Sequence, residues 1–242
     1  ADQLGVITGQ AAVLISSELM SNVNTNGKGL FLGNISGVPP TEIVVIGSDK
    51  IAESATLAAS KLGARVKVFS NSIFKLNKIQ KLITNPIYSS TIQKKQLSKA
   101  LMRCDVAIGS IKSSTSSESI ISEDMVMKMK KGAIIIDVSI DTGGTFETSE
   151  LTTHDKPTFE KHNVIHYCVP NIPSRYSRTS SLCLSNIITP YLIKSVKFGS
   201  FENFIRNNNS FKKGVYLYNG LSTNLIISQI LDIKYNEINN IL

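Results

Sequence analysis

Two hydrophobic periods alternate along the chain, and together they predict a series of helices and strands. In residues 4–20 the apolar positions recur at helical spacing without proline, which predicts one long helix. Glu42–Ile46 is instead a short apolar run behind Pro39 and Pro40, typical of a strand covered on both faces. The same patterns predict further strands at residues 65–69, 105–109, 133–137 and 164–168, and further helices at 51–62, 73–82, 94–102 and 123–129.

Strands that alternate with helices of this length indicate βαβ units. The predicted fold class is therefore α/β, a doubly wound, Rossmann-like parallel sheet with a long N-terminal helix and a helical C-terminal tail. The predicted organisation is a helix and linker over residues 1–30, a Rossmann-like dinucleotide-binding domain over 31–197, and the helical tail over 198–242. Residues 179–197 form a predicted helix kinked at Pro190, and the serine-rich residues 110–119 read as a surface connection.

Composition limits the classes of function. The 242 residues are 42% hydrophobic and 18% charged, so the chain can bury a core and is not disordered. The net charge is +8, but the basic residues are spread along the chain, so no nucleic-acid partner is expected. The apolar runs fall far short of the roughly 20 residues that cross a bilayer, and the first residues show no secretory signal. No membrane association is expected.

Cysteine and histidine spacing gives no sign of a metal site. No Cys-x-x-Cys pair and no His-x-x-x-His helix occur, so we predict no metal, no disulfide framework and a reducing, cytoplasmic location. His166 lies inside an apolar strand and is expected to be a hydrogen-bonded core residue. The cysteines concerned are Cys104, Cys168 and Cys183, and the other histidines are His154 and His162.

The turn after the first predicted strand is where parallel α/β sheets bind nucleotide phosphates. A dinucleotide site has Gly-x-Gly-x-x-Gly/Ala there, and its middle glycine lets the backbone approach the diphosphate. Gly47 and Ala52 match the outer positions, but Asp49 replaces the middle glycine. A carboxylate about 4 Å from a phosphate costs on the order of 4 kcal/mol at an effective dielectric constant of 20, and adjacent Lys50 offsets part of this. We predict a degenerate cofactor loop formed by Gly47, Ser48, Asp49, Lys50 and Ile51.

The second landmark of a dinucleotide site also departs from the usual pattern. The residue after the second strand is acidic where it binds the ribose of NAD, but here it is Ser70. Serine with Arg65, Lys67 and Lys75 nearby is compatible with the 2′-phosphate of NADP, so NAD and NADP both stay open. A nucleotide site that has decayed or been repurposed is the alternative.

Several ordered blocks carry a resemblance to a known family. They are DVSIDTGGTFETS at residues 137–149, TTHDKP at 152–157, VIHYCVPNIP at 164–173 and RTS at 178–180. In this order and spacing they resemble the alanine dehydrogenase and nicotinamide nucleotide transhydrogenase family, specifically its NAD(H)-binding domain. The segment GVYLYNG at 214–220 is similar to the end of an alanine dehydrogenase.

The resemblance implies the cofactor-binding portion of an alanine dehydrogenase-type oxidoreductase, which converts L-alanine to pyruvate and ammonia with hydride passing to NAD. It implies catalytic positions for Asp141, beside the nicotinamide and substrate, and for Asn171 at the neighbouring strand end. The other interpretation is that the Asp141 carboxylate caps its own loop. The resemblance also implies cofactor contacts by Lys75 near the adenosine ribose, by Ser110 and Ile111, and by Pro170, Ile172 and Pro173.

The substrate domain that precedes the cofactor domain in such enzymes has no counterpart in this sequence. We therefore expect the chain alone to be inactive, with that domain as a partner, and by analogy we expect a homo-oligomer. Two other interpretations stay open. One is a noncatalytic Rossmann-like pseudoenzyme or assembly subunit, and the other is the NAD-binding part of a transhydrogenase with membrane partners.

Overall fold

The computed structural model describes residues 2–22, 27–84, 86–111 and 119–242. Its helices are α1 (Asp2–Met20), α2 (Lys50–Lys61), α3 (Ile73–Lys81), α4 (Lys94–Leu101), α5 (Glu123–Val126), α6 (Ser177–Lys197), α7 (Phe201–Arg206), α8 (Asn209–Lys212) and α9 (Leu225–Leu231). Its strands are β1 (Glu42–Ile46), β2 (Arg65–Phe69), β3 (Tyr88–Ser90), β4 (Val106–Gly109), β5 (Ile134–Asp137), β6 (Thr158–Lys161), β7 (Val164–Tyr167), β8 (Leu217–Tyr218) and β9 (Leu221–Ser222). Short 3₁₀ turns cover Ile140–Thr142, Ile172–Tyr176 and Ile238–Asn240.

In the described ranges, seven of these strands form one sheet in the order β3-β2-β1-β4-β5-β7-β6. Neighbouring strands are parallel except β6, which pairs antiparallel with β7. The chain order reverses between β1 and β4, and in such sheets ligands bind in the crevice outside the carboxyl ends of the strands at this point. The predicted doubly wound, Rossmann-like α/β fold with a long N-terminal helix is confirmed.

Helices cover both faces of the sheet, which explains the apolar run in β1. Ile43 and Val45 belong to a core packed beneath α1, α2 and α3, whereas Val44 and Ile46 belong to a second core beneath α4 and α5. All four side chains are completely buried. A strand with no solvent-facing side has no polar alternation, so its sequence is continuously hydrophobic.

The edges of the sheet and the C-terminal segment differ from the prediction. β3 and β6 were missed because they are short, partly exposed and rich in serine or charged residues, as edge strands often are. The tail is not purely helical, since β8 and β9 pair in a hairpin. Asn219 and Gly220 between them have φ values of 48° and 78°, which is the Asn-Gly turn that joins two strands directly. Residues 112–118 of the predicted surface connection lie outside the described residues.

The chain divides into two compact units, Ala1–Ser180 and Ser181–Leu242. The first contains the seven-stranded sheet. In the second, Phe204 is buried and packs against the rings of Phe198, Phe201 and Phe211. The predicted domain boundaries after residues 30 and 197 stay predictions, because compactness alone does not define a domain that folds independently.

His166 joins β7 to the loop that follows β5. Its ring is completely buried and stacks on Phe159, with 4.8 Å between ring centroids. Its Nδ1 lies 3.0 Å from the Val164 carbonyl oxygen, which only accepts, so Nδ1 carries the proton and Nε2 accepts from the Thr148 hydroxyl at 2.8 Å. The residue is the hydrogen-bonded core histidine that its apolar surroundings predicted.

We expect this histidine to make the protein sensitive to mild acid. Burial lowers the pKa of the His166 imidazole below its ordinary value of 6.5. Below that pH the unfolded chain binds a proton that the folded protein does not. The free energy of unfolding should therefore fall by up to about 1.4 kcal/mol per pH unit, until the pH reaches the folded-state pKa. Urea titrations at a series of pH values measure this slope. In His166→Gln the slope over the same range should be smaller, and an unchanged slope would contradict the assignment.

Candidate functional site

A cleft with a volume of about 830 Å³ opens at the carboxyl ends of the central strands. This volume lies within the range of roughly 300–1,000 Å³ that is usual for small-molecule sites. The walls come from the start of α1 and from the segments after β1, β2, β4, β5 and β7. Every predicted site residue except Pro170 lines this cleft: Gly47, Ser48, Asp49, Lys50, Ile51, Ser70, Lys75, Ser110, Ile111, Asp141, Asn171, Ile172 and Pro173.

The carboxylate of Asp49 lies at the head of α2 and crosses to the end of β4. Asp49 is the N-cap of the helix, and its Oδ1 accepts from the Ala52 amide at 3.0 Å. The same oxygen accepts from the Ser110 hydroxyl at 2.9 Å. The amides at a helix N-terminus are the groups that bind phosphate in dinucleotide sites. Here one of them is already satisfied by the protein's own carboxylate.

Gly47 and Ser48 bring the same loop close to the ends of the neighbouring strands. Gly47 has φ of 136°, and a Cβ at this position would lie 2.4 Å from the Ser110 Oγ. Only glycine therefore fits between β1 and the β4 end. On the other side, the Ser70 hydroxyl donates to the Ser48 Oγ at 2.6 Å. Ser70, which occupies the position where an acidic residue would bind ribose, is thus hydrogen-bonded to the loop after β1.

Lys50 does not direct its charge at Asp49. Its ammonium group pairs with Glu53 one helical turn further on, and Lys78 pairs with the same carboxylate at 3.2 Å. Partial burial acts to raise the pKa of Glu53, but the hydrogen bonds from Lys50 and Lys78 outweigh it and lower the pKa. The expectation that Lys50 offsets the Asp49 charge is therefore corrected, since its nearest anion is Glu53.

Two of the basic residues expected near a 2′-phosphate lie elsewhere. Arg65 and Lys67 pair with Glu42 at 3.4 and 2.9 Å, and Arg65 and Glu42 are the first residues of β2 and β1. Strand starts lie at the edge of the sheet opposite the cleft, so that expectation was wrong for both. Lys75 does line the cleft, as does Ser70.

The two aspartates after β5 have different environments. Asp137 is completely buried and absent from the lining of the cleft. Its Oδ1 accepts from the amide and hydroxyl of Ser139, and its Oδ2 accepts from the Thr145 and Phe146 amides and from the Ser149 hydroxyl at 2.7 Å. This buried carboxylate organises the loop, whereas Asp141 is exposed on the 3₁₀ turn that the same loop presents to the cleft.

Asn171 lines the cleft from the segment after β7, the strand next to β5. Its backbone is left-handed, with φ of 51° and ψ of 49°, and it begins the turn Ile172–Tyr176. Ile172 and Pro173 are buried, and the Ser180 hydroxyl donates to the Pro173 carbonyl at 2.7 Å. The exposed Asn171 side chain therefore projects from a well-anchored turn. Asparagine is one of the few residues besides glycine that adopts this conformation readily.

Sequence reasoning missed the wall supplied by α1. Gly5 and Gly9 are four residues apart, and a Cβ at Gly9 would lie 2.4 Å from the Ile51 carbonyl oxygen of α2. This close crossing places the first turns of α1 beside the cofactor loop. The Gly-x-x-x-Gly spacing in the sequence was the signal that could have predicted the close approach of α1 to another helix. The lining residues that were not predicted include Asp2, Leu4, Gly5, Thr8, Asn71, Ser72, Val138, Ser139 and Thr142.

The described part of the chain contains neither a metal-binding cluster nor a membrane-spanning helix. No group of three or more histidine, cysteine or acidic side chains there is arranged to hold a metal ion. No helix among those residues is both long and apolar enough to cross a bilayer. Cys104, Cys168 and Cys183 are free thiols, and burial raises the pKa of both Cys104 and Cys168 to about 12.

The sequence matches a defined protein family over residues 12–224, described as the alanine dehydrogenase/PNT C-terminal domain. The chain belongs to this family. Alanine dehydrogenase 2 of Staphylococcus aureus (strain USA300) is 30% identical over 234 residues, which make up 96% of this chain and 62% of that protein. This alanine dehydrogenase/PNT C-terminal domain thus spans less than two thirds of the relative's length.

Solved structures agree with this assignment. An L-alanine dehydrogenase structure matches with a TM-score of 0.89 at 25% identity, over 96% of this chain and 63% of that one. The transhydrogenase from Sinorhizobium meliloti matches with a TM-score of 0.67 at 17% identity, over 81% of this chain and 56% of that one, which shows a shared fold. Both proteins contain further chain beyond the part that the alanine dehydrogenase/PNT C-terminal domain covers.

Domains of this family bind nicotinamide nucleotides, and the two ends of the cleft fit such a ligand unequally. The segments after β5 and β7 contribute the exposed polar residues Asp141 and Asn171 and the apolar residues Val138 and Pro173 to the lining, a combination suited to a flat heteroaromatic amide. In the middle, Asp49 presents a carboxylate where a diphosphate would lie. The residues after β5 and β7 thus fit a nicotinamide ring, whereas the loop after β1 does not fit a diphosphate.

Proposed function

We propose that this chain is the cofactor-binding portion of an alanine dehydrogenase-type oxidoreductase whose affinity for the dinucleotide is reduced by its altered loop. The reaction is the conversion of L-alanine to pyruvate and ammonia, and a bound nicotinamide supplies the hydride acceptor. The observation that carries the proposal is that Asp141 and Asn171, from the segments after the neighbouring strands β5 and β7, line the same cleft at the carboxyl ends of the sheet. NAD is the favoured cofactor, with NADP as the other candidate.

Within this proposal the residues of this chain bind the cofactor and orient the substrate. Asp141 carries its negative charge on an exposed turn, so it orients the amino group of the substrate and stabilises positive charge near the reacting carbon. Asn171 offers an amide that donates to and accepts from a carboxamide ligand. Ser110, Ile111, Ile172 and Pro173 contact the cofactor, with Lys75 and Ser70 toward the adenosine end and Pro170 as a support for the Asn171 turn.

The partners proposed for this chain follow from its partial coverage of its relatives. The chain spans 62% of the Staphylococcus aureus protein, and we propose that a substrate domain corresponding to the remainder completes the active site. The chain alone should show no alanine-dependent reduction of NAD. We also propose a cytoplasmic location, which the free thiols support, and self-association, by analogy with other proteins of this family.

A noncatalytic assembly subunit is the second candidate, and the Asp49 carboxylate in the cofactor loop is the observation that favours it. Under that interpretation the fold persists while ligand binding has been lost. The two candidates differ in whether the nicotinamide end of the cleft binds a nicotinamide ring.

Binding of reduced nicotinamide riboside tests the proposal at the end of the cleft where the residues fit. This ligand carries the dihydronicotinamide ring without phosphate, and its fluorescence reports binding. We expect saturable binding to the wild-type chain and an affinity lowered by about fivefold in Asn171→Gly, because glycine keeps the left-handed backbone and removes a hydrogen bond worth about 1 kcal/mol.

Asp124→Asn is the matched control, since Asp124 is exposed on α5 and absent from the cleft lining. Its affinity for the riboside should equal that of the wild type. The proposal fails if neither the riboside nor NADH binds at millimolar concentration to any variant, and the assembly-subunit interpretation then replaces it.

A further inference from the structure

We propose that Asp49 is the specificity-determining residue of the cleft, and that it lowers the affinity for the diphosphate of a dinucleotide while admitting an uncharged nicotinamide nucleoside. The proposal rests on the proposed function, because it assumes that the cleft takes a nicotinamide ligand. It goes beyond that function by assigning a ligand preference to one carboxylate.

The carboxylate is held in place by two donors from different elements. The Ala52 amide comes from the first turn of α2, and the Ser110 hydroxyl comes from the end of β4. Ser110 is almost fully buried, and its Oγ also lies against Gly47. A side chain tied to both walls of the crevice cannot leave without giving up both hydrogen bonds. The Asp49 carboxylate therefore stays in the passage that a diphosphate would use.

The charges around this passage disfavour an anion. The charged side chains among the described lining residues are Asp2, Asp49, Lys50, Lys75 and Asp141. Lys50 is already paired with Glu53. The lining thus contains three carboxylates and, besides Lys50, one further ammonium group, that of Lys75. Lys75 lies at the adenosine end and forms no ion pair with any of these three carboxylates. A diphosphate brings further negative charge next to the Asp49 carboxylate, and like charges at short distance repel each other.

The loop after β1 also contacts the ends of the strands on both sides of it. On one side, Ser48 is hydrogen-bonded to Ser70 at the adenosine end, and on the other, Asp49 is hydrogen-bonded to Ser110. These two contacts join the β1 loop to the ends of β2 and β4. Val138, which follows β5 on the far side of β4 from this loop, lines the same cleft at the end proposed for the nicotinamide ring.

An uncharged nucleoside satisfies these constraints. Its nicotinamide ring lies against the end that keeps the fitting residues, and its ribose hydroxyls donate hydrogen bonds that a carboxylate accepts. The carboxylate of Asp49 thus repels a diphosphate and attracts a sugar hydroxyl. A middle glycine would have neither effect.

The experiment compares NADH with reduced nicotinamide riboside in three forms of the full chain: wild type, Asp49→Asn and Asp49→Gly. Asparagine keeps the N-cap and the side-chain oxygen that accepts from Ser110 but removes the charge. Glycine removes the side chain and is still acceptable at the N-cap position of a helix. We expect the wild type to bind the riboside at least as tightly as NADH. Both variants should bind NADH at least 30-fold more tightly. The riboside affinity should change by threefold or less in Asp49→Asn, which keeps an acceptor oxygen, and should fall by about fivefold in Asp49→Gly, which removes a hydrogen bond worth about 1 kcal/mol.

Asp124→Asn again serves as the control for a general change in net charge, and its NADH affinity should stay at the wild-type level. Thermal unfolding of each variant shows that the fold is retained. If both variants bind NADH no better than the wild type while the riboside still binds, Asp49 does not exclude the diphosphate and the inference is wrong. If neither ligand binds to any form, the proposed function is wrong, and this inference, which depends on it, is wrong as well. An NADH gain in Asp49→Gly alone would show that bulk rather than charge excludes the diphosphate, which contradicts the electrostatic argument.

Discussion

Replacing Asp137 with alanine is expected to lower the free energy of unfolding by about 4 kcal/mol. The carboxylate is completely buried and accepts five hydrogen bonds from donors of the loop after β5, including the Thr145 amide at 2.8 Å. Alanine leaves those donors buried without an acceptor, and each such group costs about 1–3 kcal/mol. Urea-induced unfolding followed by circular dichroism measures the difference.

Asp141→Ala is the matched control for this prediction. Asp141 lies four residues further along the same loop and is exposed, so its replacement should change the unfolding free energy by less than about 0.5 kcal/mol. If the two substitutions cost the same, the loop does not depend on the buried carboxylate. Asp137→Asn adds a second measure, because its amide hydrogens would face donors and restore only part of the lost stability.

Gly9→Ala is expected to lower the free energy of unfolding by about 3 kcal/mol. A Cβ at Gly9 would lie 2.4 Å from the Ile51 carbonyl oxygen and 2.7 Å from the Ala55 amide nitrogen, and these backbone atoms of α2 cannot rotate away as a side chain can. The helices must separate, and this cost exceeds the gain of about 1 kcal/mol in helix propensity that alanine brings. Thermal unfolding and urea titration report the change.

Gly5→Ala makes the same substitution one turn earlier in α1 and is expected to have the opposite sign. The nearest atom to a Cβ there is the Lys50 Cβ at 3.3 Å, a side-chain contact that can adjust by a few tenths of an ångström. Alanine should then leave the stability unchanged or raise it by up to about 1 kcal/mol. Equal destabilisation by both substitutions would show that glycine matters throughout α1 and not specifically at the crossing with α2.

The layered fold was predictable because local patterns and tertiary packing agree. The apolar run in β1 required cover on both faces, and the alternation of strands and helices left a doubly wound sheet as the arrangement that provides it. The short strands β3 and β6 gave no such signal, because an edge strand is stabilised mainly by hydrogen bonds to its neighbour. The hairpin β8–β9 did have a local signal in Asn219 and Gly220, which the polar composition of the tail obscured.

The place of the candidate site was also predictable, but the partners of its charged residues were not. Asp49 and Ser110 are 61 residues apart, and nothing local in either segment indicates that one accepts from the other. Lys50 was adjacent to Asp49 in sequence, yet the helix geometry directs it to Glu53. Sequence neighbours on a helix point in different directions, whereas residues three or four apart meet.

The amino-acid sequence by itself determined the two-sided sheet, the helices that cover it and the loops at which a ligand would bind, because hydrophobic periodicity is read from consecutive residues. The tertiary structure alone decided which aspartate is buried and which is presented, and which hydroxyl holds the carboxylate of the cofactor loop. Those choices depend on strand ends that are far apart in the chain and meet only when the sheet forms. A side chain acquires its burial and its partners at that step, and its chemistry follows from them.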